Sequence, residues 1–275
     1  MRVKRKLLEK GIAYVVLGLF AVSTLFPYYC MLVMGTHENA ELFSGLKLWF
    51  GQSLCANFTR LLESDYLRSF LNSLLIAVPA TLLTLLSSSM GGYALAKYQF
   101  RARKFLISFV YITLMLPGSL GTIAWVWEMK QFDWINTYWP FIIPAMGNTY
   151  AVYWFLQLSK GAIPNEILDS ARVDGAGEFR IFFQIASPHL RAGATSLGLL
   201  NFVGAWNSYL GPSLILKRPK LYTVPISIAT MGSQFRSEYS TQILGMAVAT
   251  IPLLIVFACT SKYFIAGIAG GAVKE

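Results

Sequence analysis

Six stretches of the chain contain no Asp, Glu, Lys, Arg or His: 11–35, 69–96, 105–127, 140–158, 193–216 and 239–261, with 25, 28, 23, 19, 24 and 23 residues. A helix needs about 20 apolar residues to cross a hydrocarbon layer roughly 30 Å thick, so each run is long enough, the fourth most narrowly. Backbone N–H and C=O groups in lipid must be bonded internally, which leaves helices or closed barrels. Barrel strands would alternate over about ten residues, and these runs do not. The sequence predicts an all-α integral membrane protein with six transmembrane helices.

Composition agrees. Of 275 residues, 55% are hydrophobic and 13% charged, and mean hydropathy is +0.53. A soluble domain carries about 25% charged residues, so a soluble globular enzyme and a disordered chain are both excluded. The net charge of +10 follows from basic residues gathered on cytoplasmic loops. With the N-terminus inside, the inner segments hold 15 Lys and Arg and the outer ones 8. That split places both termini in the cytoplasm, with Lys217, Arg218 and Lys220 as the dissenting outer cluster. No aromatic-interleaved basic motif occurs, so nucleic acid is not an expected partner. The first run has the basic flank of a secretory signal, but 25 apolar residues exceed the usual 7–15. It reads as a retained first span in a multi-pass membrane protein.

Little material exists for catalysis. Cys30, Cys55 and Cys259 lie far apart, and the two histidines are His37 and His189, so neither a disulfide framework nor a metal site is expected. None of the six spans holds a charge, whereas proton-driven carriers and voltage sensors keep one at mid-depth. The intramembrane polar groups are neutral: Asn72, Asn148, Thr149, Gln157, Asn201, Asn207, Ser208 and Gln242. Such groups hydrogen-bond between helices or meet a hydroxylated solute, and the sequence leaves both open. Pro27, Pro79, Pro144, Pro212 and Pro252 read as kinks. Pro117-Gly118, with Gly121, is expected to end the third span. Trp125, Trp127, Trp134, Tyr138 and Trp139 would then form an aromatic belt at the outer interface. No G-x-x-x-x-G-K-[ST] phosphate loop is present; if ATP drives this protein, another subunit must bind it.

The longest inner loop, 159–192, is the informative one. Pro164 suits a first helical turn, and Glu166 and Asp169 place negative charge near that N-terminus. Ile167, Leu168, Ala171 and Arg172 continue a short helix. Gly175 is placed to end it in the left-handed conformation. A second short helix from Glu178, carrying Phe179, Phe182, Phe183 and Ile185, is expected to stop before Pro188. The element is either an amphipathic segment on the membrane surface or a helix shaped to enter a protein cleft. The small residues Ala171 and Gly175 favour the cleft.

Asp169-Ser170-Ala171, Asp174-Gly175-Ala176, Phe182, Ile185 and Pro188 resemble the EAA loop of ATP-binding-cassette importer permeases. Gly175 falls six positions and Pro188 nineteen positions after Asp169, as in that family. Asp169 and Ser170 replace Glu and Ala, Ser187 replaces Leu, and Ala192 stands where a second Pro is common. Tyr93-Ala94-Leu95-Ala96, Met115-Leu116-Pro117-Gly118, Asn136-Thr137-Tyr138, Trp206-Asn207, Tyr222-Thr223-Val224-Pro225 and the tail from Gly267 to Lys274 are similar to the carbohydrate branch, which the smaller maltose-type permease typifies.

The resemblance implies a subunit without its own ATPase site that forms half of a translocation path, for a sugar or oligosaccharide. The implied partners are a second permease, two subunits binding ATP-Mg, and an extracytoplasmic substrate-binding protein. The chain itself would bind no cofactor. Glu166, Asp169, Ser170, Ala171, Asp174, Gly175, Ala176, Phe182 and Pro188 would couple to the ATPase. Gly271 and Lys274 are tail contacts, and Asn72, Asn148, Trp206, Asn207 and Tyr209 are candidates for the solute path. The chain would divide into an anchor and first helix (1–35), an outer loop (36–68), a core (69–265) and a tail (266–275). An importer for a non-sugar solute, or a secondary carrier, are the competing readings.

Overall fold

A computed structural model describes the backbone of residues 2–231 and 238–272, with side chains described for 10–231 and 238–261. Among the described residues the structure is helical, without strands. The helices are α1 (Arg2–Met34), α2 (Asn39–Leu42), α3 (Leu54–Glu63), α4 (Tyr66–Lys97) and α5 (Arg103–Met115). Then come α6 (Thr122–Gln131), α7 (Trp139–Ile142), α8 (Thr149–Ala162), α9 (Asn165–Val173) and α10 (Glu178–Arg180). The remainder are α11 (Ser187–Trp206), α12 (Leu210–Ile215), α13 (Val224–Met231), α14 (Tyr239–Ala249) and α15 (Ile251–Ala272). Gly271 therefore continues a helix, and Lys274 lies outside the described residues.

Among the described residues, three helical runs are long and apolar enough to cross a membrane: Lys10–Met34, Tyr66–Lys97 and Tyr239–Ser261. They coincide with the first, second and sixth charge-free stretches. The third stretch breaks as the sequence predicts. Leu116 is extended (φ −83°, ψ 126°), the conformation Pro imposes on its predecessor. Arg103–Met115 and Gly118–Gln131 meet at 91°. The fourth is shorter than expected, because Pro140 and Pro144 divide its start into single turns. The regular α8 has 14 residues, about 21 Å of helix. In the fifth, α11 ends at Trp206 and the chain turns through 207–209 before α12.

The residues fall into two compact units. The first comprises residues 1–67 and 227–251. There Asn57 Nδ2 donates to the carbonyls of Gly35 (2.9 Å) and His37 (2.8 Å). The Tyr66 hydroxyl donates to the Gly245 carbonyl at 2.7 Å, and Asn39 Oδ1 accepts from the Ser240 N–H at 2.8 Å. Tyr14, Leu17 and Phe20 of α1 remain largely exposed, as on a helix surrounded by apolar material rather than water.

The second unit comprises 68–226 and 252–275. Its main core joins Tyr93 of α4, Ala151 and Phe155 of α8, Leu168 and Ala171 of α9, and Leu190 and Leu197 of α11. Gly92 permits the α4–α8 approach: a Cβ there would stand 2.5 Å from Phe155 Cβ and 2.6 Å from the Leu156 nitrogen. A second cluster gathers Trp125, Trp134 and Tyr138 around Met129, Ile215 and Leu216. The expected aromatic belt is thus divided. Trp127 and Trp139 are exposed, whereas Trp125, Trp134 and Tyr138 turn inward because the 91° bend gives them a core to cover. Asn136, at φ 60°, fastens this cluster to the basic loop that follows α12: its Oδ1 accepts from the backbone N–H groups of Lys217 (2.6 Å) and Arg218 (3.2 Å).

Candidate functional site: a surface helix and a separate cavity

The helix α9 spans nine residues and has two faces. Leu168 and Ala171 are buried in the core. Glu166, Ile167, Asp169, Ser170, Val173 and Asp174 face outward. Val173 is 88% exposed, and Phe179, just beyond the turn, is 72% exposed. Ile167, 41% exposed, completes an apolar set that stands uncovered beside the carboxylates.

The turn after α9 forms as the sequence predicts. Gly175 has φ +75°, which a Cβ would strain. The Gly175 N–H donates to the Arg172 carbonyl and the Ala176 N–H to the Ala171 carbonyl, both at 3.0 Å. These paired bonds satisfy the helix's last carbonyls. Ala176 then packs against the core. Ser170 Oγ donates back to the Glu166 carbonyl at 2.8 Å.

A charged cluster bridges the turn. Arg172 Nε donates to Glu178 Oε1 at 2.9 Å, and Arg172 Nη1 to Asp169 Oδ1 at 2.8 Å. The Tyr98 hydroxyl donates to Glu178 Oε2, and the Arg172 guanidinium carbon lies 5.7 Å from the Tyr98 ring centroid. Arg172, then Tyr98, hold the Glu178 carboxyl below the usual carboxylate range. Glu178, then Asp169, keep Arg172 more firmly protonated. Burial, reinforced by Glu178, pushes the Tyr98 phenol up. Sequence reading missed Tyr98 and Glu178, which brace the turn from the side of α4. The 80-residue separation of that pair left no periodic signal. Asp169 and Arg172 at i, i+3 were readable.

Pro188 does not end the second helix. The chain runs from Glu178–Arg180 through a π-helical turn, Ile181–Ala186, directly into α11, with Pro188 in its first turn. The Ser187 N–H reaches the Phe182 carbonyl five residues back. This wider turn relieves the clash that Pro imposes on a regular helix. Phe182 is buried and its ring centroid lies 5.3 Å from that of Tyr93.

The solute-path candidates separate. Asn148 lines a cavity of about 290 Å3 with Ala80, Thr81, Thr84, Asn201 and Leu200. Asn148 Oδ1 accepts from the Ala151 N–H at 3.0 Å, and Nδ2 donates to Asn201 Oδ1 at 3.1 Å. Asn72 is elsewhere. It is buried and donates to the carbonyls of Lys220 (3.0 Å) and Tyr222 (2.9 Å), holding a loop to α4. Trp206 is buried, 5.2 Å from Phe70 and 5.9 Å from Phe202 between ring centroids. Asn207 and Tyr209 are exposed beyond the end of α11. No cluster of His, Cys, Asp and Glu suited to a metal occurs among the described residues.

Long apolar helices with a folded helix–turn–helix on the surface define a multi-pass membrane protein. The chain belongs to the family of binding-protein-dependent transport system inner membrane components, whose model matches residues 84–269. It is therefore an importer permease chain of the cell membrane. It is 34% identical to the arabinooligosaccharides transport system permease protein AraQ of Bacillus subtilis, over 91% of this chain and 90% of that one. It is 31% identical to the lactose transport system permease protein LacG of Rhizobium radiobacter, over 98% of each. Its fold matches a chain from the crystal structure of a bacterial ABC transporter involved in the import of the acidic polysaccharide alginate. That match has a TM-score of 0.81 at 19% identity and covers 94% of this chain and 96% of that one. At that identity the likeness establishes the fold, the all-helical fold of a type I permease.

Proposed function

We propose that this chain forms half of the pathway of an ATP-driven importer for a sugar or oligosaccharide. Its six apolar stretches would cross the membrane with both termini in the cytoplasm. The shorter α8 and the bent α5–α6 pair would pack against a second permease. Two ATP-binding subunits carry ATP-Mg, and an extracytoplasmic binding protein delivers the solute. Relatives named for arabinooligosaccharides and lactose support a carbohydrate. So does a cavity lined by amides, hydroxyls and apolar side chains without a charge.

The observation that carries the reading is α9 and its Gly175 turn: a helix anchored on one face while Ile167, Val173 and Phe179 stand exposed on the other. Seated in a cleft of the ATPase, this helix would move as one piece when the ATPase dimer closes. The spans would then rock between inward-open and outward-open states, a two-state element that both sites bias. Glu166, Asp169 and Asp174 give the outer face a negative bias, which suits a basic cleft. Ala171 and Phe182 act from within, by holding the helix to the core. Gly271 and Lys274 would extend the contact with the ATPase. Asn148 is the solute-path candidate that faces a cavity.

The test is mass spectrometry of the tagged chain purified from gently solubilised native membranes. An ATP-binding subunit and a second permease are expected. A homo-oligomer persisting in milder detergent without an ATPase contradicts the proposal and returns attention to a carrier.

A further inference from the structure

Lys97 and Tyr98, adjacent at the end of α4, grip opposite ends of α9. At the start of α9, Lys97 Nζ donates to the Ile163 carbonyl at 2.6 Å and to Asn165 Oδ1 at 2.9 Å. At its end, Tyr98 donates to Glu178 and lies against Arg172. The helix between them is about 14 Å long. Its buried residues, Leu168 and Ala171, share one core cluster with Tyr93 of α4. The covalent routes out of α9 are less regular: Pro164 on one side, and on the other the Gly175 turn followed by the π-helical turn.

The same α4 carries Ala80, Thr81 and Thr84 on the wall of the 290 Å3 cavity. Thr84 lies about 20 Å along the helix from Lys97. Thr84 Oγ1 and Ser87 Oγ donate to the carbonyls of Ala145 and Met146, each at 2.8 Å. At the far end, Asn72 and Ser73 hold the segment Lys220–Val224. One continuous helix therefore ties the surface element to the cavity and to the opposite loop.

We propose that Lys97 and Tyr98 are positioning residues that make α4 follow α9, so that α4 transmits ATPase closure to the cavity wall. This rests on the importer reading above. Neither residue lines the 290 Å3 cavity. Their role is to keep α9 from rolling against α4, and Arg172 and Glu178 complete the grip across the turn.

The test uses the complex purified from native membranes, with Cys30, Cys55 and Cys259 replaced by Ser and Leu200→Cys placed in the cavity lining. N-ethylmaleimide labelling of that cysteine is timed with and without vanadate-trapped ATP. In the intact chain, trapping is expected to change the rate by about fivefold or more. In Lys97→Met/Tyr98→Phe the change should fall below about twofold while ATP hydrolysis per complex stays within about twofold of the parent. Lys97→Arg with Tyr98 intact should restore it. A double variant that keeps the full change overturns the proposal. So does loss of the ATP-binding subunits from the variant complex, because these residues would then serve docking rather than transmission. Absence of nucleotide dependence in the intact complex strikes the importer reading instead.

Discussion

Arg172 and Glu178 stand on either side of the Gly175 turn, joined by a 2.9 Å bond from Arg172 Nε to Glu178 Oε1. The pair closes a loop that the backbone alone would leave to a single glycine. Both side chains are partly exposed, so the ion pair adds at most about 1 kcal/mol. Its value is geometric: it fixes the angle at which α9 leaves the core.

Gly175 can be tested by conformation alone. A Cβ there meets nothing within 4 Å, yet φ is +75°, so a substitution strains the backbone without a clash. Gly175→Ala should cost about 1–2 kcal/mol at this turn. Gly175→Asn should cost less, because Asn tolerates the left-handed region. Both variants, and Gly175→Asp, are expected to reach the membrane at normal levels, with uptake falling in the order Gly, Asn, Ala. Membrane fractionation together with uptake measures this. Loss of folded protein would assign the glycine a purely structural role.

Adjacent glycines in α4 give a sharper contrast. Gly92→Ala drives a Cβ into the backbone of α8, whereas Gly91→Ala meets nothing within 4 Å. Overpacking of this kind costs about 1–3 kcal/mol. Thermal unfolding in detergent should show Gly92→Ala clearly destabilised and Gly91→Ala unchanged or slightly stabilised. Equal effects would mean that α4 and α8 are not in this contact.

Much of this was legible in sequence and part was not. Charge-free runs located the long helices, Pro117 the break, and Gly175 the end of α9, because each acts through local backbone chemistry. The inward turn of Trp125 and Trp134 and the grip of Lys97 on Ile163 and Asn165 were illegible. They depend on partners brought together only by folding. Pro188 misled because a π turn, which leaves no composition signal, removed the clash that a proline imposes on a regular helix. The polar residues divided in the same way: Asn72 and Asn148 look alike in sequence, but one holds a loop and the other lines a cavity.

Asn72 supplies a third test. Its buried amide donates to two partly buried carbonyls, so Asn72→Leu should cost about 1–3 kcal/mol, seen as a lower Tm. The exposed Asn207→Ala should leave Tm unchanged. If Asn207 lies on the solute path, its variant alters the KM for uptake without that loss of stability.

The segment that follows α1 should respond to pH. His37 Nδ1 lies 2.6 Å from Glu41 Oε2 and Nε2 lies 2.9 Å from the Trp49 carbonyl. Two acceptors favour the doubly protonated ring, and the Trp49 carbonyl, then Glu41, raise its pKa. A raised folded-state pKa contributes stability that is fully present below the unfolded value of about 6.5. That contribution is lost as pH rises through the folded value. Hydrogen-exchange protection of residues 36–53, corrected for intrinsic rates, should be higher at pH 5.5 than at pH 8.5. In His37→Gln the difference should vanish; if it persists, His37 is not its source.

The exposed face of α9 is expected to seat on an ATP-binding subunit, and Val173 reports on that contact most directly. A photo-crosslinking amino acid at Val173, activated in native membranes, should yield one dominant adduct, with an ATP-binding protein, and the adduct should weaken in Gly175→Ala. Crosslinks confined to lipid, or to a second copy of this chain, would contradict the account.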